Sequence, residues 1–169
     1  MAVRPVLRYP HPALKRTARV LEAGDSPLVA EVARDLVDTM ESVGHCVGLA
    51  APQLDHPVRM VAVDVTGHPK ATTQNGRLVL VNPIVVAAAG SEVGREGCLS
   101  IPHLTANVRR ATHIRVEAQA PGGEGLVIAS DAFEARCLQH EIDHLDGLLF
   151  LDRVDSLSAD VFRRKNFGA

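Results

Sequence analysis

Two stretches of the chain repeat apolar residues at helical spacing, and the sequence between them breaks into short strand-like runs. The first helical stretch runs from about Asp25 or Ser26 to Val43, with Leu28, Val32, Leu36, Met40 and Val43 on one stripe. Pro27 suits its first turn, and Gly44 can close it in a left-handed conformation. The second is marked by Phe133, Cys137, Leu138, Ile142 and Leu145; Asp131 with Glu134 three residues on reads as a capping box, and Gly147 stops the helix. The intervening runs, at 59–64, 78–81, 84–86, 106–110, 113–119 and 126–129, are β-prone, and Gly67, Asn75-Gly76 and Gly122-Gly123 separate several of them as turns. This pattern predicts an α+β fold in which mostly antiparallel sheets wrap around the second helix. Pro5, Pro10 and Pro12 favour extended or turn structure before the first helix, and the pattern over 156–169 is too brief to assign. No repeat, low-complexity tract or linker interrupts the chain, so residues 1–169 are expected to form a single catalytic domain.

Composition adds constraints. Aromatic residues make up 3% of the chain, with no tryptophan, so Val, Leu, Ile and Ala must fill the core. A formal charge of −2 gives no electrostatic case for nucleic acid or membrane surfaces. The N-terminal stretch lacks the apolar core of a signal peptide, and no apolar run reaches the length of a membrane span, so a cytoplasmic location is expected. Three cysteines, an odd number without a regular framework, point to reduced thiols.

The chemistry concentrates in Gln139-His140-Glu141-Ile142-Asp143-His144. Histidines four apart project from one helical face and can converge on one ion, while Glu141, one step round, can take a proton from water activated by that ion without occupying it. A catalytic site of this type needs a third protein ligand. A downstream histidine would have to stand where the chain has Phe150, and no glutamate follows Glu141; Asp152 remains an option without a supporting pattern. Upstream, Glu96-Gly97-Cys98-Leu99-Ser100 offers a cysteine in a short strand-like stretch with Gly94 and Gly97 allowing close backbone approach, so Cys98 is the expected third ligand. A third stretch, Cys46-Val47-Gly48-Leu49-Ala50-Ala51-Pro52-Gln53, reads either as an ordinary tight loop or as a site, in which the Gln53 amide would donate a hydrogen bond to an oxygen gaining negative charge.

These three ordered motifs resemble those of the peptide deformylase family and span most of the chain. The resemblance implies a metal-dependent hydrolase that removes the N-formyl group from the starting methionine of a new peptide and releases formate. It implies one divalent ion held by Cys98, His140 and His144, Fe²⁺ first, with Zn²⁺ or Ni²⁺ also able to occupy the site. It pairs Gln53 with the backbone N–H of Leu99 as oxyanion donors and gives Glu141 the proton transfers. Val47, Phe133 and Cys137 become walls for the methionine side chain, and main chain around Gly48 a partner for the peptide as an added strand. An N-formylated peptide is the implied partner, with room for a transient ribosome contact.

Two positions depart from the family pattern: Cys46 and His103 stand where glycine is usual. Were positive φ required at Cys46, that residue would be strained. These departures leave open a specialised deformylase acting on a formylated metabolite or non-standard peptide; a small metallopeptidase and a non-catalytic metal-binding relative are the other classes. His11, His45, His56, His68, His103 and His113 lack ligand spacing and are expected to be exposed or hydrogen-bonded. Arg109 and Arg110 read as solvated strand residues, although the resemblance would have Arg110 order the substrate side.

Overall fold

The computed structural model describes residues 3–165. Helix α1, Ser26–Val43, starts with Pro27 in its first turn and ends at Gly44 with φ 70°. Its buried face carries Val29, Val32, Leu36 and Met40, and also two polar residues, Asp35 and Thr39. These hold the N-terminal segment: Thr39 Oγ1 accepts the Arg4 N–H at 3.0 Å, and Asp35 takes the Arg4 guanidinium and, at 2.9 Å, His56 Nε2. His56 is thus a buried structural histidine.

Strands β1 (Gly48–Ala50), β2 (Met60–Val63) and β3 (Leu78–Ala89) are followed by the pair β4 (Glu92–Cys98) and β5 (Ile101–Arg110), then by β6 (His113–Gln119) and β7 (Gly125–Asp131). Helix α2, Ala132–Leu145, comes next, then a helical turn α3, Leu157–Asp160, and a three-residue strand β8, Val161–Arg163. They form two antiparallel sheets, ordered β1-β2-β3-β6-β7 and β4-β5-β8. Helix α2 packs its Ala135, Leu138, Ile142 and Leu145 into a core with Val61, Val63, Leu80, Val116 and Ile128 of the larger sheet. A separate core under the smaller sheet joins Cys98, Ala106 and Val108 to Phe150. The predicted α+β architecture around a central helix is what the chain adopts.

Several local expectations are corrected. Runs 78–81 and 84–86 belong to one strand, β3, whose pairing with β6 shifts register across Asn82-Pro83. Asn82 adopts φ 51° and holds Leu21 by both its backbone N–H (2.9 Å) and carbonyl (2.8 Å), so the break in the β pattern is a kink, not an end. The Asp131–Glu134 spacing does not produce a capping box. Asp131 instead accepts bonds from Thr72 and Thr73, and Glu134 from Asn75 and Ser130, because the chain enters α2 through a sharp turn at Ala132, φ 45°, that leaves both carboxylates to pin the preceding loop. Positive-φ residues among those described do not include Cys46, so cysteine imposes no strain there; its Sγ–H donates to the Gly48 carbonyl at 3.0 Å. The unassigned tail supplies α3 and β8; residues 166–169 lie outside the described residues.

Leu138 is fully buried at the centre of this packing. Leu138→Ala should lower unfolding free energy of the metal-free protein by about 2–5 kcal/mol in denaturant titrations. Leu157→Ala, at a 68% exposed side chain, should change it by less than about 0.5 kcal/mol.

Candidate metal centre

The site lies where edge strands of both sheets meet the buried face of α2. β1 and β4 each end their sheet, and the extended N-terminal segment bridges them: Leu7 N–H donates to the Gln53 carbonyl at 2.8 Å and Tyr9 N–H to that of Ser100 at 2.9 Å. Gln139, beside the first histidine, anchors α2 by donating to the Ala111 carbonyl at 3.0 Å and accepting its N–H at 3.1 Å.

On the inner face of α2 the His140 and His144 rings stand edge to face, centroids 5.1 Å apart. Cys98 ends β4 at a register shift after Gly97 that turns its thiol toward them, with Sγ 3.4 Å from His144 Nε2. One ligand atom each from Cys98, His140 and His144 fits within 4.8 Å of the others, and all three side chains are buried. This soft sulfur and two imidazole nitrogens are a donor set suited to a divalent transition ion, and three protein ligands leave a further position open.

Around this set lies a charge network the sequence reading did not assemble. Glu96 accepts from His140 Nδ1 at 2.9 Å, fixing the ring so that Nε2 faces the thiol, and it also takes Arg110 through both oxygens (2.9 and 3.1 Å) and Arg136 (2.9 Å). Arg110 continues to Asp143, which Arg153 also binds. Arg110 is therefore a buried strut between β4 and α2 that holds the cavity-lining Glu96, not a solvated strand residue.

Electrostatics follow from this crowding. Burial opposes ionisation of Cys98, but the neighbouring His144 and His140 outweigh it and hold the thiol well below its ordinary pKa. Burial likewise works against a charged His140, and Cys98 and Glu96 reverse it, raising that imidazole well above the usual histidine range. Burial resists ionisation of Glu96 too, yet His140 and Arg110 keep its carboxyl far below the usual range. Glu141 lacks such partners; burial pushes it up to about 7 against the pull of His140 and His144. The other two thiols near the site, Cys46 (up to about 12) and Cys137, are raised by burial and by the Glu141 charge.

Glu141 Oε2 is buried with no hydrogen-bond partner, and Oε1 lies over Gly48, where a Cβ would come within 2.6 Å of it. Gln53 is held by the Ala50 N–H on its Oε1 (2.9 Å), which aims Nε2 at Ser100 Oγ (3.0 Å) and Cys98 Sγ (3.4 Å). A cavity of about 280 Å³ opens over this set, lined by Val47, Gly48, Gln53, Leu99, Phe133 and Cys137 as well as Cys98, His140 and Glu141. The residues picked out in the sequence thus share one cavity, apart from His144, which sits behind it. Five that reasoning on spacing passed over also line it: His45, His68, stacked on Phe133 with ring centroids 4.0 Å apart, Arg95, Arg136 and Arg164. A second acidic group, Glu31, Asp35 and His56, already holds the Arg4 guanidinium between its carboxylates and acts as a structural clamp.

The sequence model of the polypeptide deformylase family matches residues 3–160. A peptide deformylase of Bartonella tribocorum is 39% identical over 166 residues, covering 98% of this chain and 92% of the relative. The crystal structure of peptide deformylase from Thermus thermophilus superposes with TM-score 0.80 at 38% identity, covering 90% of this chain and 86% of that one. A class I type b peptide deformylase from Acinetobacter baumannii, solved with Met-Ala-Ser bound, gives TM-score 0.83 at 31% identity over 90% of this chain and all of that one. The chain belongs to the polypeptide deformylase family, metal-dependent hydrolases that remove the N-formyl group from newly made peptides.

Proposed function

We propose that Cys98, His140 and His144 hold the metal on which this activity depends, and that Glu141, Gln53 and Leu99 carry out the chemistry beside it. The observation that carries this reading is the convergence of three buried ligand atoms next to a buried, unpartnered Glu141 oxygen in one cavity. When bound, the ion supplies Lewis acidity that makes a water nucleophilic near neutral pH. Glu141 then accepts the proton of the attacking water at its carboxylate and delivers it to the departing amine, leaving formate and a free amino terminus. Gln53 Nε2 and the Leu99 N–H donate to the formyl oxygen as it gains charge. Because the Gln53 amide is already fixed through its Oε1, little reorganisation is needed as that charge develops.

The substrate follows from the cavity walls. Val47, Phe133 and Cys137 would enclose a methionine side chain, and the peptide would run as an added strand along the β1 edge at Gly48. Met-Ala-Ser, the tripeptide held by the Acinetobacter relative, is the product such a reaction would leave from formyl-Met-Ala-Ser. The thiolate and two imidazoles suit Fe²⁺, with Zn²⁺ or Ni²⁺ as substitutes; Fe²⁺ beside a thiolate would be sensitive to oxidation. We propose further that residues 1–169 work as one catalytic domain in the cytoplasm, in transient contact with the ribosome where new chains emerge. Among the described residues, no helix is long and apolar enough to cross a membrane.

Formate release from formyl-Met-Ala-Ser by anaerobically purified, metal-loaded protein tests the assignment. Glu141→Ala should keep its metal while kcat falls by at least about 10²-fold, whereas Cys98→Ala should lose the metal itself. Full turnover in Glu141→Ala would remove Glu141 from the mechanism. Gly48→Ala supplies a further check: its new Cβ displaces the Glu141 carboxylate, so kcat should fall about tenfold or more with metal content unchanged.

A further inference from the structure

The cavity mouth carries two guanidinium groups that the chemistry above does not use. Of three arginines lining the cavity, Arg136 is committed: its nitrogens donate to Glu96 and to the Val108 and Glu92 carbonyls. Arg95 and Arg164 are not. Among the described residues neither is paired with a carboxylate; Arg95 donates to Thr105 Oγ1 at 3.3 Å and lies 3.7 Å over the Phe162 ring, and Arg164 is fixed through its backbone N–H to the His103 carbonyl at 2.9 Å.

Strand β8 places both. Phe162 pairs with Thr105 in the β5–β8 register, so the seat under Arg95 is made where the C-terminal strand docks, and Arg164 is the next residue after that strand. The Arg164 guanidinium lies against Gly97, where a Cβ would sit 2.1 Å from its Nη2. Gly97 immediately precedes the ligand Cys98, so its lack of a side chain seats a full positive charge beside the reacting centre. An extended peptide advances about 3.3 Å per residue, so one or two residues beyond methionine bring its next groups to this rim.

We propose that Arg95 and Arg164 form an anion subsite that selects formylated peptides carrying a carboxylate just beyond the methionine, whether as an Asp or Glu side chain or as the free carboxyl terminus of a short peptide. This rests on the deformylase reading and adds a specificity to it. The cation is an arginine at both places, suited to two-pronged recognition of carboxylate, and the Phe162 ring holds the Arg95 fork without neutralising it.

The test compares formate release by full-length, metal-loaded protein from formyl-Met-Glu-Ser amide, formyl-Met-Lys-Ser amide, formyl-Met-Ala-Ser and its amide. The glutamate peptide should exceed the lysine peptide in kcat/KM by about fivefold, carried by KM, the value of one screened ion pair. The free acid should exceed its amide in the same sense, and both ratios should shrink in about 0.5 M NaCl. In the double variant Arg95→Gln, Arg164→Gln the ratios should approach one, and Arg164→Glu should favour lysine. Each ratio is internal to one protein, so it is readable even where total activity falls, and the salt series on the unaltered chain decides the matter if a variant does not fold. Equal turnover of acidic and basic peptides, or ratios unmoved by the variants, overturns the subsite while leaving deformylation intact. Failure to release formate from any of the four overturns both readings. Loss of ribosomal RNA binding in the variants with ratios unchanged would assign these cations to nucleic acid and also overturn the proposal.

Discussion

The structure depends on bringing a thiolate, two imidazoles and a carboxylate together out of water. At an effective dielectric constant of about 20, two unit charges 4 Å apart interact by about 4 kcal/mol, so ionised Cys98 and Glu141 in one buried cavity repel strongly unless a cation stands between them. Among the described residues, Arg110 and Arg136 lie on Glu96 and Arg153 on Asp143, while Arg95 and Arg164 stand at the cavity mouth, and none of the five is paired with the Glu141 carboxylate. Burial raises Glu141 to about 7 against the pull of His140 and His144, with a further rise from its repulsion by Cys98. A divalent ion among Cys98, His140 and His144 would resolve it, and this is the physical reason the donor set reads as a metal centre.

Much of the remaining architecture holds that constellation rigid. Glu96, Arg110 and Asp143 link β4, β5 and α2 in one buried ionic chain, which orients His140 through its second nitrogen and ties the strand bearing Cys98 to the helix bearing both histidines. Buried pairs of this kind offset their own desolvation with little to spare, so their value here lies in geometry more than in stability. Gly48 and Gly97 serve the same end by leaving room, one for the Glu141 carboxylate and the other for Arg164. The N-terminal segment, bonded to the backbones of Gln53 and Ser100, closes the gap between the two edge strands.

The parts of the fold legible in the sequence are those with a strong local period. Helix α1 and strand β6 occupy nearly the stretches read from pattern alone, and the HExxH spacing placed both histidines on one face with Glu141 one step round. β4 was read only in part because Gly94, Arg95 and Gly97 lack β propensity; pairing with β5 holds it extended. β3 was divided because Asn82-Pro83 looks like a turn in sequence, whereas Asn82 uses its side chain to brace Leu21. The capping-box spacing at Asp131 and Glu134 misled because both carboxylates serve a loop some 60 positions upstream, separations of 58 and 59 residues. The ionic chain was out of reach for the same reason: Arg110 meets Glu96 and Asp143 across 14 and 33 residues, and no periodicity encodes a contact made by tertiary folding.

The central claim is that one sulfur from β4 and two ring nitrogens from α2 share a single ion. X-ray absorption spectroscopy at the metal edge of Ni²⁺- or Zn²⁺-loaded protein tests it most directly. The account predicts a mixed shell with one sulfur at about 2.3 Å and imidazole nitrogens at about 2.0–2.1 Å. A shell of nitrogen and oxygen alone, with no sulfur scatterer, would contradict it.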